Sequence, residues 1–304
     1  MHNNWFESLK RHIAIVVALC VCAIWGETFV STKVLLEEGL MPSDIFIYRF
    51  VLAYLCIWFF SYKRLWADTW KDELLLVVLG IMGGSLYFLT ENMAIMFSTA
   101  SNVAILVGST PLVTAVLLSL FYKEERMCSR QIVGSLIAFA GMALVILNGQ
   151  LMLHLNPKGD VLALCASLTW ACYSLVIKNL SRHYSSLFIT RKVFAYGLLT
   201  ILPYLWLENP LQMDVNILSK PTVWTNLLYL GIVASMLCFL AWNWTLKRLG
   251  TVRATNIIYL QSFFTMFFSH LILGERITLM AVCGTIILIT GMIMASKAKK
   301  KVAQ

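Results

Sequence analysis

The sequence predicts an all-α integral membrane protein: ten transmembrane helices built as two inverted five-helix repeats. Three observations carry that expectation. Of the 304 residues, 60% are hydrophobic and only 13% charged, with a mean hydropathy of +0.78. Soluble domains run at about 45–50% apolar and about 25% charged. A water-soluble fold has no way to hide this much apolar surface. Second, the chain divides into apolar stretches long enough to cross a bilayer. Third, a nine-residue stretch recurs: FIYRFVLAY at 46–54 returns as FITRKVFAY at 188–196, with Phe, Ile, Arg, Val, Ala and Tyr in register.

A helix needs about 20 apolar residues to cross the hydrocarbon core. Segments 1 to 10 are expected at 12–34, 44–62, 74–97, 100–122, 130–149, 159–178, 187–207, 223–246, 251–273 and 277–296. In lipid the backbone must satisfy its own hydrogen bonds, and these interval lengths suit helices rather than barrel strands. Segment 1 could be mistaken for a signal peptide. Its length, its Glu27 and the lack of a small-residue cleavage pattern make it a retained span. Pro111 in segment 4 and Pro203 in segment 7 each remove a backbone donor and are expected to kink their helices.

The segments split five and five, residues 1–150 and 151–304, with Leu151–Pro157 as linker and a basic tail at the end of the second half. Further pairs extend the repeat. Trp25 and Lys33 match Trp170 and Lys178; Glu125-Arg126, Gly134 and Gly141-Met142 match Glu275-Arg276, Gly284 and Gly291-Met292. The paired glycines read as close-packing positions of segments 5 and 10, and the Glu-Arg pairs as helix-end caps.

Lysine and arginine set the orientation. With the N-terminus in the cytoplasm and ten crossings, 19 basic residues fall inside and 5 outside. Both termini are therefore expected in the cytoplasm. An odd number of spans per repeat then inserts the second copy upside down, so that Arg49 and Arg191 lie near opposite faces. Inverted repeats are a common build of secondary transporters.

The net charge of +9 comes largely from loops and the lysine tail, and no nucleic-acid partner follows from it. The eight cysteines lie mostly in apolar segments without a CxxC pair, and read as buried apolar side chains rather than disulfide or metal ligands. Loops are too short for an extramembrane catalytic domain. Neither HExxH, GxSxG nor a phosphate loop occurs, so no enzyme activity, metal or cofactor is expected and any transport would run on gradients.

Several motifs together carry a resemblance. Ala23-Ile24-Trp25-Gly26, Arg49-Phe50, Phe97-Ser98-Thr99-Ala100-Ser101, Pro111, and Glu125 followed by Gly134 and Gly141 are similar to EamA-type members of the drug/metabolite transporter superfamily, over the whole chain. The resemblance implies a ten-helix basket with a central cavity lined by segments 1, 3, 4, 6, 8 and 9. It also implies export of amino acids or other small metabolites across the bacterial cytoplasmic (cell inner) membrane. One position departs from the pattern: Glu27 stands where the family usually has a small polar residue.

Ionisable residues inside a membrane are costly, and each is a site candidate. Glu27 and Ser31, and likewise Tyr87 and Glu91, are four apart and share a helical face. Their repeat counterparts are Cys172 and Ala241, so the acids break the symmetry. They either bind an amine or exchange a proton, or form a static network with Arg49. Arg49 and Arg191 read as scaffold residues in ion pairs or snorkelling to the interface. Segment 6 offers Trp170 and Ser174 on a stripe with Ser167 and Lys178. Segment 8 offers Trp242 and Asn243 beside Trp244, and segment 9 offers Asn256 and Tyr259 beside Phe263. An organic solute wants aromatic walls and a few polar anchors; the same aromatics would also suit an interfacial belt.

The leading expectation is a secondary transporter exporting small polar metabolites, amino acids first, by alternating access, with proton coupling as an option. One alternative is a nucleotide-sugar or phosphate-ester exchanger, whose phosphates would meet Lys178, Arg191 and Arg253. Another is a non-transporting sensor or scaffold on the same fold. Partners are a small solute and the bilayer; oligomeric state is left open.

Overall fold

The computed structural model describes residues 2–98, 100–122, 128–147, 156–207, 211, 214–273 and 277–296. The two Glu-Arg pairs, residues 151–155 of the linker, Asn209-Pro210 and the lysine tail lie outside them. Among the described residues there is no strand. The first half comprises α1 (His2–Glu37), α2 (Pro42–Trp58), α3 (Trp70–Gly80), α4 (Leu86–Phe97), α5 (Ala100–Val107), α6 (Thr110–Phe121) and α7 (Ser129–Leu147). The second comprises α8 (Pro157–Leu180), α9 (Ser186–Leu207), the short α10 (Val215–Leu218), α11 (Pro221–Leu228), α12 (Cys238–Leu249), α13 (Thr251–Ile257), α14 (Leu260–Leu273) and α15 (Leu279–Ser296).

Local chemistry accounts for the boundaries. Gly39, at φ 102, ends α1 in the left-handed region, its N–H on Leu36 and that of Leu40 on Leu35. This double closure is the usual glycine stop. Pro42, Pro157 and Pro221 then occupy first turns, where a missing N–H costs nothing. Thr69 caps α3 by accepting from the Asp72 N–H at 3.1 Å. Asn156 caps α8 through Lys158 and Gly159 while its amide donates to the Phe97 carbonyl at 2.7 Å, which ties the second half to the first. Pro111 does not kink a continuous helix as expected. The chain turns at Gly108-Ser109, and Pro111 sits in the first turn of α6. Pro203 lies inside α9.

Among the described residues, seven helices are long and apolar enough to cross a membrane: Lys10–Glu37, Trp70–Phe97, Val103–Phe121, Ser129–Leu147, Pro157–Leu180, Ser186–Leu207 and Pro221–Leu249. Leu279–Ala295 is a shorter apolar helix. The α2 helix has 17 residues, and the stretch expected as segment 9 is interrupted between α13 and α14. The chain is thus a multi-pass membrane protein; the count of ten is not reached by helix length alone.

Two of the long helices contain π-helical segments that the sequence reading did not foresee. Ile81–Ser85 joins α3 to α4, and Tyr229–Leu237 joins α11 to α12. They occupy matching places in the two halves, with Ser85 opposite Ser235 in the repeat register. The packing is reciprocal. The α2 helix lies on the second π segment, where a Cβ on Gly231 would come 2.8 Å from that of Leu52. The α9 helix lies on the first, where a Cβ on Gly84 would come 3.2 Å from the Gly197 Cα. Each recurring stretch therefore packs against the other half. Their aromatics meet at the centre, with Phe50 stacked edgewise on Phe194 at 4.9 Å and on Phe88 at 5.2 Å.

Two further contacts hold the periphery. The α7 and α15 helices pack through their glycines, as the repeat predicted: a Cβ on Gly141 would stand 2.3 Å from the Leu288 nitrogen, and one on Gly291 2.3 Å from the Ala138 nitrogen. Near the start of α3, Glu73 forms an ion pair with Lys192 and accepts from the Tyr196 hydroxyl and, at 2.7 Å, from the Ala67 N–H. The Lys192 and Glu73 side chains are 8% and 17% exposed.

Candidate functional site

A cavity of about 50 Å³ lies at the centre of the helices. That volume holds a few water molecules and no organic solute. Segments 1, 3, 4, 6, 8 and 9 all contribute, as the resemblance implied, and α2 and α7 add Arg49 and Met142. Both halves of the chain therefore build one chamber.

Its wall on one side is aromatic. Trp25 and Trp170 meet edge to face at 5.4 Å, Tyr87 lies 4.8 Å from Trp170, and Phe239 lies 5.6 Å from Trp170. The indole of Trp25 is locked by donating to the Ala234 carbonyl at 2.9 Å, in the second π segment. Part of the lining is polar. Gln261 and Thr265 stand four apart on α14; Gln261 donates to the Trp25 carbonyl at 3.2 Å and Thr265 to the Gly26 carbonyl at 2.8 Å. Gly26 permits this approach, since a Cβ there would come 2.9 Å from the Gln261 carbonyl.

Two charged groups line the cavity, Arg49 and Glu91. Arg49 is 2% exposed, buried in the bundle rather than reaching for an interface. Its Nε donates to Ser235 at 3.0 Å, and its guanidinium lies 4.3 Å from the Phe88 ring centre. Glu91 accepts from the Tyr87 hydroxyl at 2.8 Å. Among the described residues no ion pair joins Arg49 to Glu91.

The other candidates divide. Trp170 lines the cavity, but Ser174 turns back to the Trp170 carbonyl at 3.0 Å. Glu27 lies outside the lining and is partly exposed; Ser31 donates to both of its oxygens, at 2.9 and 3.1 Å. The pair shares a face as expected, away from Glu91. Asn243 is spent in a buried chain, accepting from Tyr173 at 2.7 Å and donating to Thr190 at 2.8 Å. Trp242 is fully buried against Trp25 at 5.3 Å. Asn256 and Tyr259, 2% and 0% exposed, sit in the core behind the cavity wall. Arg191 is buried too, donating to the Arg64 carbonyl and stacking near Phe188, with no ion pair among the described residues. Its repeat partner Arg49 reaches the cavity and it does not.

Sequence reasoning missed Phe88, Phe239, Gln261 and Thr265. The last two carried a signal, two polar residues one helical turn apart in an otherwise apolar stretch. The two phenylalanines carried none, because the whole neighbourhood is apolar.

A multi-pass helical protein whose two halves enclose one polar-and-aromatic chamber belongs to the class of membrane carriers for small molecules. Comparison with known proteins makes this specific. The model of the EamA-like transporter family matches residues 12–147 and again 157–297, and the chain belongs to that family. Among its relatives, an uncharacterized transporter of Archaeoglobus fulgidus is 27% identical over 94% of this chain and 97% of its own. Proteins described as probable amino-acid metabolite efflux pumps, from Salmonella typhimurium and Escherichia coli, are 29% and 27% identical, each over 91% of this chain and 92% of their own. A crystal structure at 16% identity aligns over 93% of this chain and 96% of its own with a TM-score of 0.73, which shows the shared fold.

Proposed function

We propose that the protein is a secondary transporter that exports small polar metabolites, amino acids foremost, across the cytoplasmic membrane by alternating access. The observation that carries this reading is the small chamber between the halves, lined by one cation, one carboxyl group and an aromatic wall. Loading requires that the walls part, and two halves packed reciprocally offer two equivalent ways to part. The family and the description of two relatives as amino-acid metabolite efflux pumps support the same substrate class. The reading takes ten spans in two inverted repeats, and for that arrangement the basic-residue bias of 19 against 5 supports both termini inside.

A nucleotide-sugar exchanger fits less well, because a diphosphate asks for several cations and Arg49 is the one cation among the described lining residues.

Proteoliposomes tested with a panel of amino acids, organic acids and nucleotide sugars decide between the readings. Amino-acid flux above that of empty vesicles is expected. Thermal stabilisation by a solute with no flux of any solute would identify a sensor instead. In the same vesicles, a lone cysteine at Ser219 should react with an impermeant reagent on the outer face only; reaction from the inner face would reverse the orientation.

A further inference from the structure

We propose that Arg49 and Glu91 are the two poles of one binding site, which takes a zwitterionic α-amino acid with an apolar side chain. The carboxylate meets the Arg49 guanidinium, the ammonium meets Glu91 beside Tyr87, and the side chain lies on the aromatic wall. This rests on the transport reading above and narrows its substrate class.

The argument starts from what the two groups leave unspent. A guanidinium has five N–H donors. Arg49 is 98% buried, and its Nε on Ser235 is its one hydrogen bond among the described residues. The guanidinium lies 4.3 Å from the Phe88 ring centre, Arg49 lines the cavity, and its terminal nitrogens make no hydrogen bond among the described residues. Glu91, 9% exposed, uses one oxygen to accept from Tyr87, and its other oxygen has no partner among the described residues. They are the only charged groups among the described residues that line the cavity.

Opposite charges in an apolar interior attract strongly, and charges inside membranes usually pair. These two do not. Each is held by its own scaffold, Arg49 by Ser235 and Phe88 on elements of both halves, Glu91 by Tyr87 one turn earlier on α4. Two unpaired, pre-positioned opposite charges are completed by a molecule that carries two of its own. A zwitterion satisfies both poles. An anion leaves Glu91 unmet and a cation leaves Arg49 unmet, and a buried group left without its partner is what makes such sites selective. Trp25, Trp170 and Phe239 offer apolar faces and no further charge, which suits a hydrophobic side chain.

The test uses three probes of one shape on the full-length protein in lipid nanodiscs, at neutral pH: L-phenylalanine, L-phenylalaninamide (no carboxylate) and 3-phenylpropionate (no ammonium). Phenylalanine should bind about tenfold or more tighter than either analogue, as expected for losing one charge-assisted contact. Glu91→Gln, which keeps shape and an acceptor for Tyr87, should weaken phenylalanine by a similar factor and should not weaken 3-phenylpropionate, which no longer leaves a buried carboxylate unmet. Arg49→Lys should weaken phenylalanine and leave phenylalaninamide unchanged. This crossed pattern is one that a structural role cannot produce, and the wild-type comparison stands even if the lysine variant fails to fold. Equal binding of the three probes, no binding of any, or variants that weaken all probes alike would overturn the assignment. If such a result came with flux of another solute, the transport reading would stand without it. If the charge preference held and nothing crossed the membrane, the assignment would stand and the transport reading would fall.

Discussion

Replacing Gly141 with leucine should abolish accumulation of folded protein. At this position a Cβ would lie 2.3 Å from the Leu288 nitrogen and 2.7 Å from the Gly284 carbonyl oxygen, both backbone atoms of α15. Backbone cannot rotate away as a side chain does, so the helices must separate. Separation opens the neighbouring contacts as well, because Gly134 meets Gly291 and Ala295 in the same way two turns along. In lipid, helix association depends on this close packing, since the apolar driving force between helices is small. Overpacking a tight core costs about 1–3 kcal/mol, occasionally more; a clash against backbone falls at or beyond the upper end. Thermal unfolding in detergent, or the monodisperse fraction on size exclusion, reads the effect. Ile286→Ala on the same helix, at a side chain 61% exposed, is the control and should change little. Near-normal stability of Gly141→Leu would mean that α7 and α15 are not packed as described.

Glu73→Gln should be the next most damaging change, for an electrostatic reason. Its carboxylate is the ion-pair partner of Lys192, whose side chain is 8% exposed and has α3 on one side and the Trp66 ring 4.6 Å away on another. Removing one member of a buried pair leaves an uncompensated charge and costs about 3–5 kcal/mol. Pairing Glu73→Gln with Lys192→Met should recover much of the loss, because no buried charge then remains. If the single variant unfolds at the wild-type temperature, the pair is solvated and contributes little.

The sequence announced the architecture better than the site, for a physical reason. Apolar run length and the repeated FI-x-R-x-V-x-AY stretch report on burial and duplication directly, and the family model matches the two halves separately. The glycines recurring at 134/141 and 284/291 could be read as contacts because little else explains a glycine on a spanning helix, and the structure joins them. Periodicity, by contrast, shows which residues share a face without showing where that face points when every face is apolar. Tyr87 and Glu91 were a pair pointing inward; Glu27 and Ser31 were an equal pair that does not line the cavity. Asn243 resembled a solute anchor and serves Tyr173 and Thr190 instead. Lys192 stands where the first repeat has Phe50; basic-residue counting treats it as one more interfacial charge, whereas the structure pairs it with Glu73. The π segments left no local mark. The α2 and α9 helices that lie on them come from the other half of the chain, a proximity no window of sequence contains.

Alternating access is tested most directly by asking from which side the chamber can be reached. Ala104 lines it, partly buried, and accepts a small sulfhydryl without loss of a contact. In a background lacking the eight native cysteines, Ala104→Cys in sealed vesicles of known orientation is treated with a membrane-impermeant thiol reagent from each face in turn. Reaction from both faces, slowed from both by a transported amino acid, is the predicted result. Reaction from one face alone, whatever solute is present, would contradict it and leave a binding pocket open to one side only.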